Sequence, residues 1–545
     1  MSSPAPAPKS PELSDKSKKY DRQIRLWGEH GQTLLEAATI CLVNVTAVGC
    51  ETAKGLVLPG IGGFTVTDGS SVKEEDLGNK YVDNLLTVKA AVLERNCYSF
   101  FLDASYLGKS KALACMQLLQ ELNPDVNGDY VDESVDYILS NRPNFFESFD
   151  LVIASNLNER SLLQLANRLW ESNVPLVYCR SLGMLGSIRL QLKEHCIVEA
   201  HPDNRQFDLR LEHPFDALRE HLESTEVTSK VPWLLVLYKY LKLWQKEQGD
   251  GKQAPSTYKE KTTLRELIRA AMQTDEENYE EAIKAVNTAF GAGMVPKALK
   301  AIFEDDACEQ LHKKSDAFWI MTKALKHFVV EENKGYLPLP GVLPDMTANT
   351  DAYITLQQIY RQQALQDADQ VYHKCQEYLK QMSLPADSID ERTVRLFCRE
   401  SAGLAVLRGT RIADEYEKSC RLQPLVEDNE LQDPLTAYNF ALRAYERFLS
   451  ECGSIPGECA VEQDIGRLKS IASKMLTDLG LQASISDDVL HEICRYGGAE
   501  LHAVSAFIGG CAAQEVIKII TTQYKPIDNT FIYNAISTES VTLKL

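Results

Sequence analysis

The residues best placed to do chemistry lie where a continuous β-branched run, Ala38 to Val45, meets a helical stretch. The junction reads Asn44-Val45-Thr46-Ala47-Val48-Gly49. A nucleotide loop at such a junction needs G-x-G-x-x-G, because the first two glycines allow a tight turn and let the backbone approach phosphate. Asn44 and Thr46 stand at those two positions, and only Gly49, the glycine of close helix packing, remains. Asp68 ends the next strand pattern nineteen residues beyond Gly49, where an acid that binds a ribose is expected. The spacing keeps a nucleotide scaffold with a damaged phosphate cradle. It suits a Rossmann-like sheet retained for structure rather than a working dinucleotide site. Elsewhere the fourteen cysteines form no C-x-x-C pair and no Cys/His zinc spacing, and the ten histidines form no H-E-x-x-H. No metal site is expected.

A second segment stands out for a different reason. Between Glu331 and Asn349 the run Gly335, Tyr336, Leu337, Pro338, Leu339, Pro340, Gly341 and Val342 places apolar side chains on a proline-stiffened, non-helical stretch. Such a stretch docks a partner at low entropic cost, or packs as an inter-helix loop on its own domain.

The elements that must position these residues fall into three regions. From Tyr20 to about Lys193 strand patterns (Ala38 to Val45, Gly63 to Asp68, Phe149 to Ser155, Val174 to Cys179) alternate with helical stretches such as Ser110 to Glu121 and Glu159 to Glu171. That alternation implies an α/β fold with a mostly parallel sheet and helices on its faces. From about Pro214 to Gly480 the pattern is helical, with Ser388 and Glu391 reading as a capping box. The last region, Ser486 to Leu545, holds a helix of small residues, Ala503 to Ile520, and then strand patterns.

The chain has 545 residues, length for between three and four domain-sized units. Its formal charge of −19 argues against a generic nucleic-acid or anionic-membrane binder. No run of 18 apolar residues marks a membrane span, and the Pro/Ser/Lys-rich start lacks the apolar stretch of a secretory signal. The cysteines then read as reduced, mostly buried thiols, and the expected location is the cytoplasm and nucleus.

Tyr20-Asp21-Arg22-Gln23-Ile24-Arg25-Leu26-Trp27-Gly28 resembles the opening of the ubiquitin-like modifier activating enzymes and their bacterial adenylating relatives of ThiF/MoeB type. Ala506 to Lys518 is similar to the family's closing helix, and His201 to Asn204 and Phe215 to His221 also match. The likeness covers nearly the whole chain and is closest to the regulatory subunits of the neddylation branch. The Pro/Ser/Lys-rich start over 1–19 reads as a disordered tail, and the resemblance implies a Rossmann-like pseudo-adenylation domain over 20–200. A helical insert follows over 201–485, equivalent to a catalytic-cysteine domain without the cysteine. Residues 486–545 return to the adenylation fold. One stretch, 80–99, departs from relatives and reads as an unfamiliar insertion.

The resemblance also assigns the site. Active relatives use a glycine loop, an arginine after the second strand, a lysine and a metal-binding aspartate. Asp68 and Lys111 match that pattern, while Asn44 and Thr46 replace glycines and Ser155 stands where the magnesium-binding aspartate belongs. A hydroxyl does not replace a carboxylate as a hard anionic ligand. Cys308, Cys375, Cys398, Cys420, Cys452 and Cys459 all lack the Cys-Thr context of a thioester-forming cysteine. What the resemblance leaves in use is Arg22, reaching in trans toward the ATP site of a partner, with Arg25 as the lesser candidate and a surface ion pair as the plain alternative. The implied role is a non-catalytic regulatory subunit of a heterodimer. Its implied partners are the catalytic subunit of the neddylation-activating enzyme, the ubiquitin-like modifier and the cognate conjugating enzyme. ATP and magnesium would sit in the partner and not on this chain alone. The competing readings are a stand-alone adenylating enzyme, revealed by pyrophosphate exchange from the isolated chain, and an interaction adaptor without an activating role.

Overall fold

The computed structural model describes residues 18–76, 102, 104–203, 206–247, 251–273, 276–417, 422–427, 430–431, 434–458 and 460–545. The insertion expected over 80–99, most of the expected tail, and Asn204, Cys420 and Cys459 lie outside the described residues. Lys18 and Lys19, assigned to the tail, are helical instead, and Lys19 Nζ is held by Asn123 Oδ1 at 2.5 Å and Asp125 Oδ2 at 2.7 Å.

The chain forms two compact units. One takes the chain up to His195 and again from Leu407, and the other spans Cys196–Val406. In the first unit the order is α1 (Asp21–Ala37), β1 (Thr39–Val43), α2 (Ala47–Val57), β2 (Gly63–Thr67), α3 (Lys111–Leu122), β3 (Asn127–Val131), α4 (Val135–Asn141), β4 (Leu151–Ser155), α5 (Glu159–Ser172), β5 (Leu176–Leu182) and β6 (Leu185–Gln191). After the second unit come α6 (Pro434–Cys452), α7 (Val461–Asp478), α8 (Asp487–Tyr496), α9 (His502–Thr521), β7 (Thr530–Asn534) and β8 (Glu539–Leu543).

These strands make one eight-stranded sheet in the order β8-β7-β6-β5-β4-β1-β2-β3. The five strands β3-β2-β1-β4-β5 run parallel, and β6, β7 and β8 add antiparallel neighbours. Parallel strands are covered on both faces, so their side chains alternate between two cores. Ile40 and Leu42 enter the core shared with α2 and α9, while Cys41 and Val43 enter the core shared with α4 and α5. The chain reverses between β1 and β4, which places the ends of those strands at a topological switch point, the usual ligand crevice of such sheets. The expected α/β fold and its four quoted strands are present.

The expected extent of the helical insert is corrected. Residues 407–485 belong to the sheet unit, because Phe440, Phe448, Leu468 and Met475 share a buried core with Leu182 and Leu185 of β5 and β6. The helix α9 is long and apolar enough to cross a membrane by length and composition, yet 56% of that stretch is buried, and it serves as a core helix against α2.

The second unit is almost wholly helical and includes the 32-residue helix Thr350–Gln381. Its side chains gather into two cores, one around Trp244 and Tyr360, the other around Trp319 and Phe397. The capping box falls at Thr257 and Glu260, whereas the helix Glu391–Arg399 is capped by Asp390, which accepts from Thr393 N at 2.6 Å.

Candidate functional site

The loop after β1 keeps the path of a nucleotide loop with other chemistry. Asn44 has φ 69°, the left-handed conformation that glycine would supply and that asparagine tolerates better than most residues. Thr46 is extended (φ −119°, ψ 166°), and its hydroxyl caps α2 by accepting from Gly49 N at 3.0 Å. Gly49 is needed for packing, since a Cβ there would lie 2.9 Å from Ser155 Oγ and 3.1 Å from a Leu42 methyl. Ser155, fully buried at the end of β4, places its hydroxyl 2.7 Å from that of Thr46. Asn44 Nδ2 donates to Ser155 O at 3.3 Å.

Each surviving polar group of the site is engaged within the chain. Asp68 accepts from Val45 N at 2.8 Å through one oxygen and from Ser70 N and Ser70 Oγ through the other. Lys111 forms an ion pair of 2.7 Å with Asp76, and both side chains are largely buried. Ala47 N and Val48 N donate to the carboxylate of Glu500 at 2.7 and 3.3 Å. A triphosphate at the head of α2 would meet that carboxylate, and its magnesium would find the Ser155 hydroxyl where an anionic ligand is required. The residues present do not fit ATP–magnesium. Among the described residues no group of three His, Cys, Asp or Glu side chains is gathered for a metal ion.

Beside the crevice α6 packs against α5. Tyr178 Oη donates to Glu446 Oε1 at 2.6 Å, and Arg180 lies 3.6 Å from the same oxygen. Arg447 pairs with Glu159 at 2.9 Å, and Arg160 N donates to Ser450 Oγ at 3.1 Å. Burial pushes the Glu446 carboxyl above its usual range against the pull of Arg180, and it pushes the Tyr178 hydroxyl well up. Neither Glu500 nor this cluster was singled out in the sequence. Glu500 follows Gly497-Gly498-Ala499 with no pattern of its own, and its partners are some 450 residues away in sequence.

Arg22 presents the opposite picture. It sits in the first turn of α1, exposed, and it makes no hydrogen bond or ion pair with the described residues. Arg25 is held by Asp21 at 2.8 Å. The helix that carries Arg22 is firmly placed even though it kinks at Gly28 (φ 72°). Gln32 Oε1 accepts from Gln23 Nε2 at 3.0 Å and from Trp27 Nε1 at 3.1 Å, and Gln523 Nε2 donates to Trp27 O at 2.8 Å.

The proline-stiffened segment lies in the second unit and turns partly inward. Leu337, Pro338 and Leu339 are buried, with Leu337 and Leu339 in the two helical cores. Leu337 N donates to Gly293 O and Leu339 N to Asp367 Oδ2, both at 2.8 Å, and Arg210 caps Leu337 O. Tyr336 is half-buried beneath the Arg210 guanidinium, 4.8 Å from its ring centre. Gly335, Pro340 and Gly341 are half-buried and Val342 is exposed, so the surface offered outward is smaller than the eight residues expected. Pro340 and Val342 border a cavity of about 290 Å³ with Phe207, Asp208, Arg399 and Glu400.

Cys308, Cys375 and Cys398 are buried, and burial pushes the first two thiols up to about 11 and about 12. Cys452 is exposed on α6.

Comparison with known proteins follows this geometry. The ThiF family pattern matches residues 20–545. The Nedd8-activating enzyme E1 regulatory subunit of Drosophila melanogaster is 83% identical over 541 residues, covering 99% of this chain and 100% of that protein. Its counterpart in Xenopus laevis is 44% identical over 547 residues, 97% of this chain and 99% of that protein. The Arabidopsis thaliana subunit AXR1 is 37% identical over 549 residues, 98% and 97% of the two chains. A solved structure of E. coli MccB with ATP aligns with a TM-score of 0.27 at 14% identity, over 33% of this chain and 50% of that one. The chain belongs to the ThiF family, among the regulatory subunits of NEDD8-activating enzymes.

Proposed function

We propose that the chain is the regulatory subunit of a heterodimeric NEDD8-activating enzyme and performs no adenylation in its own sheet. The observation that carries this reading is the contrast between a site whose matching groups Asp68 and Lys111 are bound in cis and an arginine, on a well-anchored helix, that none of the described residues engages. In this reading ATP and magnesium bind the catalytic partner, whose cysteine takes the ubiquitin-like modifier as a thioester. The conjugating enzyme is a further partner, and the complex works in the cytoplasm and nucleus. Arg22 is the one group this chain contributes to chemistry. A guanidinium stays charged at any working pH, and it stabilises developing charge on a triphosphate without a proton transfer. Val342, Pro340 and the exposed edge of Tyr336 offer a small surface for docking a partner.

The test is reconstitution with the catalytic subunit and a panel of ubiquitin-like proteins. The complex should exchange pyrophosphate into ATP and form a thioester on the partner, with NEDD8 preferred. The isolated chain should do neither. Exchange by the isolated chain at the rate of the complex would overturn the reading.

A further inference from the structure

The leading N–H groups of α2 are all taken up by side chains of the same chain. Helices leave their first N–H groups unpaired and concentrate partial positive charge there. Here Val45 N is taken by Asp68, Gly49 N by Thr46 Oγ1, and Ala47 N and Val48 N by the two carboxylate oxygens of Glu500. One oxygen to each of two adjacent N–H groups is how a bound phosphate would be held. Glu500 is only 1% exposed, which makes these charge-assisted bonds costly to lose.

The carboxylate is delivered by a fixed backbone. Glu500 bridges to Gly183, which lies between β5 and β6, and Gly183 N donates to Ala499 O at 2.7 Å. The chain then enters α9. There α9 approaches α2 closely, since a Cβ on Gly509 would lie 2.6 Å from Glu51 Cβ and one on Gly55 would lie 2.6 Å from Ala513 Cβ. Packing this tight tolerates little movement of either helix.

We propose that Glu500 is a built-in anionic ligand of the α2 start. It stands permanently where a phosphate would bind, ties the lead of α9 to the loop after β1, and hides a site that takes inorganic phosphate once the carboxylate is removed. A ligand attached to the chain does not dissociate, so the loop and both helices keep one arrangement whether or not nucleotide is present. The proposal does not depend on the role of Arg22.

The experiment uses the full chain as wild type, Glu500→Ala and Glu500→Gln, at constant ionic strength with and without 20 mM (about 20 times a ~1 mM Kd) inorganic phosphate. Thermal unfolding and amide exchange at Ala47 and Val48 are the readouts. Glu500→Ala should lower the Tm by roughly 5 °C and speed exchange at both amides, and phosphate should recover about 2 °C and slow that exchange. Wild type should not respond to phosphate. Glu500→Gln keeps the volume but turns an NH2 toward donors, so its amides should exchange faster and phosphate should not rescue it. If Glu500→Ala does not fold, unchanged exchange in Glu500→Gln overturns the proposal by itself. An equal phosphate effect on wild type and Glu500→Ala, or no effect on the alanine variant, overturns it as well.

Discussion

Two helix starts lie in the same unit and have opposite fates. At the start of α2 the donors of the loop are consumed by Asp68, Thr46 and Glu500, and the family's lysine is consumed by Asp76. At the start of α1 the helix is pinned by Gln23, Trp27, Gln32 and Gln523, yet Arg22 is left exposed and unengaged among the described residues. In the function proposed above, the difference is how one fold gives up a reaction in its own sheet and keeps a part in another. Asn44 and Thr46 place side chains where a nucleotide loop has glycines, and the N–H groups at the start of α2 are satisfied from within the chain. In that function, α1 presents a cation that none of the described residues engages, for use in a neighbouring site.

The largest effect that would break the comparison is on rate. Arg22→Ala in the reconstituted complex should slow pyrophosphate exchange by about 10³-fold, near the lower end for arginine fingers. Heterodimer formation by gel filtration should be unchanged. A mutant complex with wild-type exchange would make Arg22 a surface residue like Arg25. Next comes the packing of the inner site. Gly49→Ala should cost about 1–3 kcal/mol in chemical denaturation, because the new Cβ crowds Ser155 Oγ, Leu42 and Thr46 Oγ1 together. A neutral outcome would mean that the loop after β1 is loose.

A pH titration sharpens the same point at the edge of the sheet unit. His195 is buried, its Nε2 has no hydrogen-bond partner among the described residues, and burial lowers its pKa to about 4 from 6.5. Between those values the unfolded chain binds the proton and the folded chain does not, so stability falls as pH drops from 6.5 toward 4. From pH 7 to pH 5 this one group should remove about 2 kcal/mol of stability, at ~1.36 kcal/mol per pH unit below 6.5. His195→Gln should flatten that limb in urea denaturation. The smallest effect is the cap: Thr46→Ala should cost about 1 kcal/mol of stability, and more than that would show that the Thr46–Ser155 contact adds to it.

Local signals in the chain carried much of this. The β-branched runs marked β1, β2, β4 and β5 because parallel strands buried on both faces are apolar throughout. Gly49 and Asp68 marked the loop because their spacing is set by one βαβ unit. Glu500 and Glu446 were illegible for the converse reason. Each acts on atoms hundreds of residues away, and a lone glutamate before a helix or within one has no local mark of burial. The boundary near 407 was hidden too, since the helices of 434–496 have the same periodicity as those of the second unit and differ only in the core they join. Leu337 and Leu339 show the same limit: a leucine on a proline-rich turn looks the same in sequence whether it faces a partner or its own core.

The order of strands sets a schedule for biosynthesis. β7 pairs with β6, Thr530 beside Arg189, although the whole of the second unit is translated between them. While the ribosome makes that unit, β6 stays an unpaired edge of the kind that recruits foreign strands. Glu500 and α9 also arrive late, so the head of α2 waits for its anion. The nascent sheet is complete only after the second unit has had time to fold, and the demand for chaperones should be greatest in that interval.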